Sequence, residues 1–442
     1  MNDRHPTTAV ERVYSRLLDD DEDHGRGDLA PAHVEVVPSN ATKQVVAMTL
    51  QKAGDLIVDA KTVLAWLLVA VGAPAGFTGL LVPIRESGSM LPQLALVGAV
   101  RRRAVRKWVW VLGGSLQGAA VLGMAAAAAT LDGTAAGVAI LVALTAFAVA
   151  RSLSSIASKD VLGRTVPKGS RGQINGFATI GSGIAAITVG VAMRGLGGQD
   201  TPPSTFAWLL AGATLAWVLA VVVYGTIREV PGEQTDDARG TDGSAARLRL
   251  LRDDPPFRRF VIARGLLLVS ALSPPFVVTL ATEHGGAGLA GLGSFVIGSG
   301  IASLVGGRFW GRAADRSSRR TMMLAAGVSS VILLGFLAVL RIDGARELTL
   351  LYPSVYLLLA LAHTGARLGR KTYVVDLADG DRRTDYVAVS NTAMGLILLA
   401  TGGVTSLAAL VGPQLPLLVL AGLGLLGVAV SWRLPEVSAG TA

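Results

Sequence analysis

The chain has 442 residues, of which 51% are hydrophobic and 16% charged, and it carries a formal charge of +9. An average soluble protein is about 25% charged, so a chain this long lacks the charge to cover two or three soluble domains. Its hydrophobicity excludes intrinsic disorder, and the lack of cysteine excludes a disulfide framework, a thiolate nucleophile and a cysteine metal site.

Residues 1–54 read as a polar cytoplasmic tail with the acidic run Asp19-Asp20-Asp21-Glu22-Asp23. From Asn40 a helical pattern begins (Val45, Val46, Met48, Leu50, then Leu56 to Val58), which predicts an amphipathic helix on the membrane surface. No short apolar core follows a basic start, so no signal peptide is expected. A bilayer core of about 30 Å takes about 20 apolar residues per helix. On that measure twelve spans are predicted: 62–84, 89–100, 108–130, 135–157, 173–193, 205–227, 260–281, 288–306, 321–340, 348–365, 386–410 and 415–432. Turn chemistry separates several of them, at Arg85-Glu86-Ser87-Gly88, Asp132-Gly133, Asp200-Thr201-Pro202-Pro203, His284-Gly285-Gly286 and Asp343-Gly344.

An even number of spans puts both termini on one side. The loops on that side hold 26 Lys and Arg and the opposite loops hold 4. Positive loops stay in the cytoplasm, so both termini are expected to be cytoplasmic, with the chain in the inner membrane. The basic excess then reads as topology, and no nucleic-acid partner is expected.

The loop 228–259 divides six spans from six, giving an N-terminal bundle at 55–227, a C-terminal bundle at 260–433 and a short cytoplasmic tail at 434–442. KDVLGRTVPKGSR at 159–171 echoes RKTYVVDLADGDR at 370–382, and Pro74 in the first predicted span matches Pro274 and Pro275 in the seventh. A parallel repeat of this kind places a cavity between the two bundles.

Residues 311–324 read GRAADRSSRRTMML. They resemble the cytoplasmic loop motif of the major facilitator superfamily, G-x-L-A-D-R-x-G-R-K-x-x-L. Gly311, Ala314, Asp315, Arg316, Arg319 and Leu324 match, Arg320 replaces Lys, and Ala313 and Ser318 depart. The equivalent loop of the first half is degenerate: Gly98 fits, but Arg102 falls where the Asp belongs. The resemblance implies an all-α membrane protein of twelve transmembrane helices in two pseudo-symmetric six-helix bundles, working by alternating access. It also implies a gating role for the motif residues, with Arg367 the nominated partner of Asp315; the alternative is that Asp315 and its neighbours only anchor a tight turn.

All acids fall in the tail, in predicted loops or at span ends, which argues against carboxylate-driven proton antiport. The fifth span, GFATIGSGIAAITVG, also lacks the Pro of the efflux-antiporter pattern in that family. Arg151 in the fourth span and Arg264 in the seventh are the buried cations; they either bind an anionic group or snorkel to headgroups. His363, Gln117, Tyr356 and Asn391 are further candidates for the substrate pathway, against the plainer reading that they bond across helices. Trp108, Trp110, Trp310 and Trp432 fall where an aromatic belt belongs. No Walker sequence and no paired-His pattern occurs, so no metal, cofactor or enzymatic activity is expected. These readings converge on a monomeric transporter in the lipid bilayer, moving a small organic solute, anionic or neutral, by exchange or facilitated diffusion. A drug-efflux antiporter and a non-transporting membrane scaffold are the alternatives.

Overall fold

A computed structural model describes residues 36–167, 171–196, 202–231, 249–285, 288–377 and 382–437. The acidic run, most of the central loop and the last residues lie outside these. Among the described residues the helices group into twelve passes, numbered here as spans.

The first span is longer than expected and begins earlier. It runs as two helices, Val37–Ile57 and Val63–Ala70. The predicted surface helix is its first half, packed between the fifth and sixth spans. Its polar groups are satisfied inside the bundle, which is why they do not mark a water-facing stripe. Asn40 exchanges two 2.9 Å bonds with the backbone of Arg228, and Gln44 donates to the Thr165 hydroxyl at 2.6 Å. The predicted span 62–84 therefore joins the end of one pass to the start of the next. Between them the chain turns on the far face, with Gly72 at φ +71°, a conformation open to glycine at little cost. The second span follows as Thr78–Met90 and Gln93–Arg101. Arg85-Glu86-Ser87-Gly88, read as a turn, is helical and lies well inside it.

The third to sixth spans are Lys107–Thr130, Gly133–Thr165, Arg171–Leu196 and Pro203–Gly225. The seventh is broken into Pro255–Leu266, Val269–Leu272 and Pro274–Gly285, its start capped by Asp254, which accepts from the Phe257 N–H at 3.0 Å. The eighth to twelfth are Leu289–Arg316, Ser318–Val339, Leu351–Asp376, Arg382–Ala409 and Gln414–Trp432. Among the described residues nine of these passes, the broken seventh included, are long and apolar enough to cross a membrane on composition alone. The first, second and tenth fall short, because they are broken or carry charge to mid-membrane.

The repeat shows in places the sequence echo did not reach. The first span breaks at 58–62 and the seventh at 267–268. The Glu229 carboxylate, just past the sixth span, accepts from the N–H groups of Arg106 and Lys107 at 3.0 and 2.7 Å where the third span opens. Glu436, just past the twelfth, accepts from the Ser317 hydroxyl at 2.6 Å and pairs with Arg319 at 3.4 Å where the ninth opens. Each half thus ties its last segment to the start of its own third helix, where free N–H groups favour an anion.

The halves meet along two seams, second against eleventh span and fifth against eighth. Small residues set the approach: a Cβ added to Gly293 would come within 2.9 Å of the Arg194 nitrogen and against the Gly190 carbonyl oxygen. The aromatic belt is half as expected. Trp108 and Trp432 are 57% and 74% exposed, whereas Trp110 is buried, stacked 3.8 Å from Tyr224, and Trp310 is buried as well.

Candidate functional site

A cavity of about 700 Å³ lies between the halves. Its walls run from mid-membrane to the face that carries the chain ends, here the terminus face, reaching Lys159, Lys371 and Val387. On the other side it is stopped by aromatic rings. Trp66 of the first span meets Phe295 of the eighth at 5.8 Å, and Phe295 meets Tyr356 of the tenth at 5.4 Å, both edge to face. Beyond this seal a second pocket of about 590 Å³, which includes Arg194 and Ser294, occupies the far face. The structure is closed on the far side and open toward the terminus face.

The break in the first span builds one wall. Asp59 Oδ2 accepts from the Lys61 N–H and the Thr62 hydroxyl, both at 3.1 Å, restarting the helix at Val63. The carbonyl of Val58, left over at the end of the first piece, accepts from Arg85 Nη1 at 2.9 Å. One turn earlier, Asp55 is shared between Arg151 at 2.6 Å and Arg85 at 3.2 Å. This ion triad joins the first, second and fourth spans and removes the cost of an isolated charge in hydrocarbon.

The second half supplies the opposite wall. Arg264 is 7% exposed; it donates to the Ser390 hydroxyl and, at 3.1 Å, to Asn391 Oδ1. His363 Nδ1 lies 3.2 Å from the Ser270 hydroxyl. On the same helix Arg367, Arg370 and Lys371 follow at i+4, i+7 and i+8, which keeps them on one face, and all three line the cavity. Among the described residues none of the three forms an ion pair, and Arg370 Nε is buried without a hydrogen-bond partner.

Each half therefore presents four cations to one space: Lys61, Arg85, Arg151 and Lys159 from the first, and Arg264, Arg367, Arg370 and Lys371 from the second. Two acids, Asp59 and Glu86, line it with them. The expectation that no acid lies within the spans is thus wrong at Asp55, Asp59 and Glu86. All three sit inside spans whose limits the charges themselves obscured.

Of the residues singled out in the sequence, Arg151, Arg264, His363, Asn391 and Arg367 come together in this cavity. Gln117 does not. It is fully buried between the third and fourth spans, donating to the Ser154 hydroxyl at 2.8 Å and the Gly113 carbonyl at 3.1 Å. Tyr356 belongs to the aromatic seal. In the loop motif, Arg319 turns toward the C-terminal segment, donating to the Leu434 carbonyl at 2.8 Å. Arg316 and Arg320 are exposed, without ion pairs among the described residues, and a side chain at Gly311 would meet no neighbour. The Asp315 side chain lies outside the described residues, while its nominated partner, Arg367, faces the cavity. The residues missed were Asp55, Asp59, Lys61, Arg85, Glu86, Lys159, Arg370 and Lys371. Asp55 and Asp59 stand one helical turn apart between apolar runs, and that spacing was the available signal.

Two six-helix bundles around a polar, one-sidedly open cavity define a multi-pass membrane carrier. The chain belongs to the major facilitator superfamily: residues 60–366 match that family. None of the curated protein sequences matches the chain. Among solved structures it is similar to the xylose transporter XylE from E. coli in an inward-open conformation, at 13% identity and a TM-score of 0.65, covering 92% of this chain and 98% of that one. It is similar to the nucleoside transporter NupG at 13% identity and 0.66, over 89% and 99%. It is also similar to a D-xylose–proton symporter at 12% identity and 0.69, over 91% and 99%. At these identities the likeness carries the fold, and the chemistry rests on this chain's own residues.

Proposed function

We propose that the protein carries a small organic anion across the cytoplasmic membrane by alternating access, with both termini in the cytoplasm. The observation that supports the reading is the set of eight cations, four from each half, around a cavity with two lining acids. An anion held there gains charge-assisted hydrogen bonds from both bundles, so its binding is linked to how the bundles sit together. The excess of Lys and Arg in the loops of the terminus face supports the orientation, and the aromatic seal supports a state open to the cytoplasm. The loop motif, tied through Arg319 to the C-terminal segment, would steady the rim of the cytoplasmic opening.

Thermal unfolding of the full chain in detergent tests the substrate class, because a ligand that binds only the folded form stabilises it in proportion to RT ln(1 + [L]/Kd). Across carboxylates, organic phosphates, sugars, amino acids and lipophilic cations, the anions are expected to raise the midpoint. Stabilisation by lipophilic cations alone would overturn the reading and favour drug export.

A further inference from the structure

The cavity charges also bear on what the empty carrier can do. At the mouth, Lys159 of the fourth span and Lys371 of the tenth are near enough for their charges to interact. Lys52 of the first span and Arg367 of the tenth repeat that relation. In both pairs one member belongs to each half, so the motion that closes the mouth drives like charges together. Deeper in, Arg370 and Arg264 interact in the same way, within the second half. The acids offset only part of this: Asp55 is shared by Arg85 and Arg151, and Asp59 accepts from the Lys61 N–H and the Thr62 hydroxyl at the break of its own span. That leaves Glu86 as the acid facing the free cations.

Closing the mouth over an empty cavity would expel water from this set and strengthen every repulsion in it. A bound anion with one charge offsets one cation; an anion with two or more offsets cations of both halves at once. We infer that the protein is an obligatory exchanger of multiply charged organic anions, compounds with at least two negative charges such as phosphorylated or polycarboxylate metabolites, and that its empty form is held open by its own cations. This rests on the reading of the cavity as an anion path. The return step is then made loaded, so an anion of the same charge class must be supplied on the opposite side of the membrane.

The test reads the mouth directly. The chain has no cysteine, so G163C at the end of the fourth span, where a side chain meets no neighbour, and L377C just past the tenth give a clean pair for spin labels. Distances are measured by pulsed electron resonance on the full chain in lipid nanodiscs. Empty protein is expected to show the long, open-mouth distance. Succinate, citrate, pyrophosphate and a hexose phosphate are tried as probes, with lactate and glucose beside them. At least one polyanion is expected to add a short distance, and lactate and glucose to add none. K159Q with K371Q in the same labelled chain is expected to raise the closed fraction of empty protein about tenfold. Three results overturn the exchange proposal: an empty protein that closes as often as the K159Q/K371Q variant, closure by lactate or glucose, or failure of every polyanion. If neither the labelled protein nor the variant shows the short distance under any condition, alternating access itself falls, a separate outcome from loss of the exchange rule.

Discussion

Asp55 holds the charge balance of the first half. Its carboxylate is 12% exposed and serves two arginines, so removing its charge leaves Arg85 and Arg151 facing each other in a low-dielectric wall. Breaking a buried pair by deleting one partner costs more than the pair contributes; Arg151, at 31% exposed, keeps some solvent, which discounts the effect. Asp55→Asn is expected to lower stability by about 1–3 kcal/mol, seen as a lower unfolding midpoint in detergent. Adding Arg151→Gln should recover more than half of the loss, because the stranded cation is the source of it. An unchanged midpoint in the single variant would show that the triad is not structural. Gln117 makes the contrasting case. It bonds across two helices with no access to the cavity, so Gln117→Leu should cost about 0.6 kcal/mol and leave the affinity for any stabilising anion as it was. A shift in that affinity would return Gln117 to the pathway.

At the level of helices, the closed seam on the far side depends on close backbone contact. Gly293 of the eighth span and Gly190 of the fifth meet where neither has room for a side chain. Gly293→Val forces the two spans apart there, and since the halves move as bundles, the far side should open while the terminus face narrows. A single cysteine at Leu398, a cavity position, should react with an impermeant maleimide from the terminus face alone in the parent chain. In the Gly293→Val background it should react from the far face as well. Labelling that stays one-sided would mean that the seam does not set the state. The same scale shows how far the sequence could be read. The apolar third to sixth, eighth, ninth and twelfth spans were legible because hydropathy over about 20 residues is a local property. The first two were misdrawn because Asp55, Asp59, Lys61, Arg85 and Glu86 look like loop residues until the fold is known; the partners of Asp55 and Arg85 lie 27 to 96 positions away in the chain. Arg151 and Arg264 stood out because each is a single charge in an otherwise clean span. Arg370 and Lys371, at the end of the tenth, were read as part of the positive-inside signal.

For the whole molecule, the central question is whether the two halves act on one bound group. Lys61 belongs to the first half and Arg370 to the second; neither forms an ion pair among the described residues, and both line the cavity with Glu86. Each of Lys61→Gln and Arg370→Gln is expected to weaken a stabilising polyanion by about 1.5–3 kcal/mol, the range for hydrogen bonds to charged groups, which is roughly tenfold or more in Kd. If one anion spans both, the first substitution already breaks the bridge and the second removes less. The double variant should then fall short of the summed losses by more than about 0.5 kcal/mol, outside the range found for independent sites. Titration calorimetry on the four proteins with the same anion measures this. Additivity would mean that the halves bind separately, and the cavity would lose its means of converting occupancy into closure; a coupling term would tie the charge carried by each bundle to the motion between them.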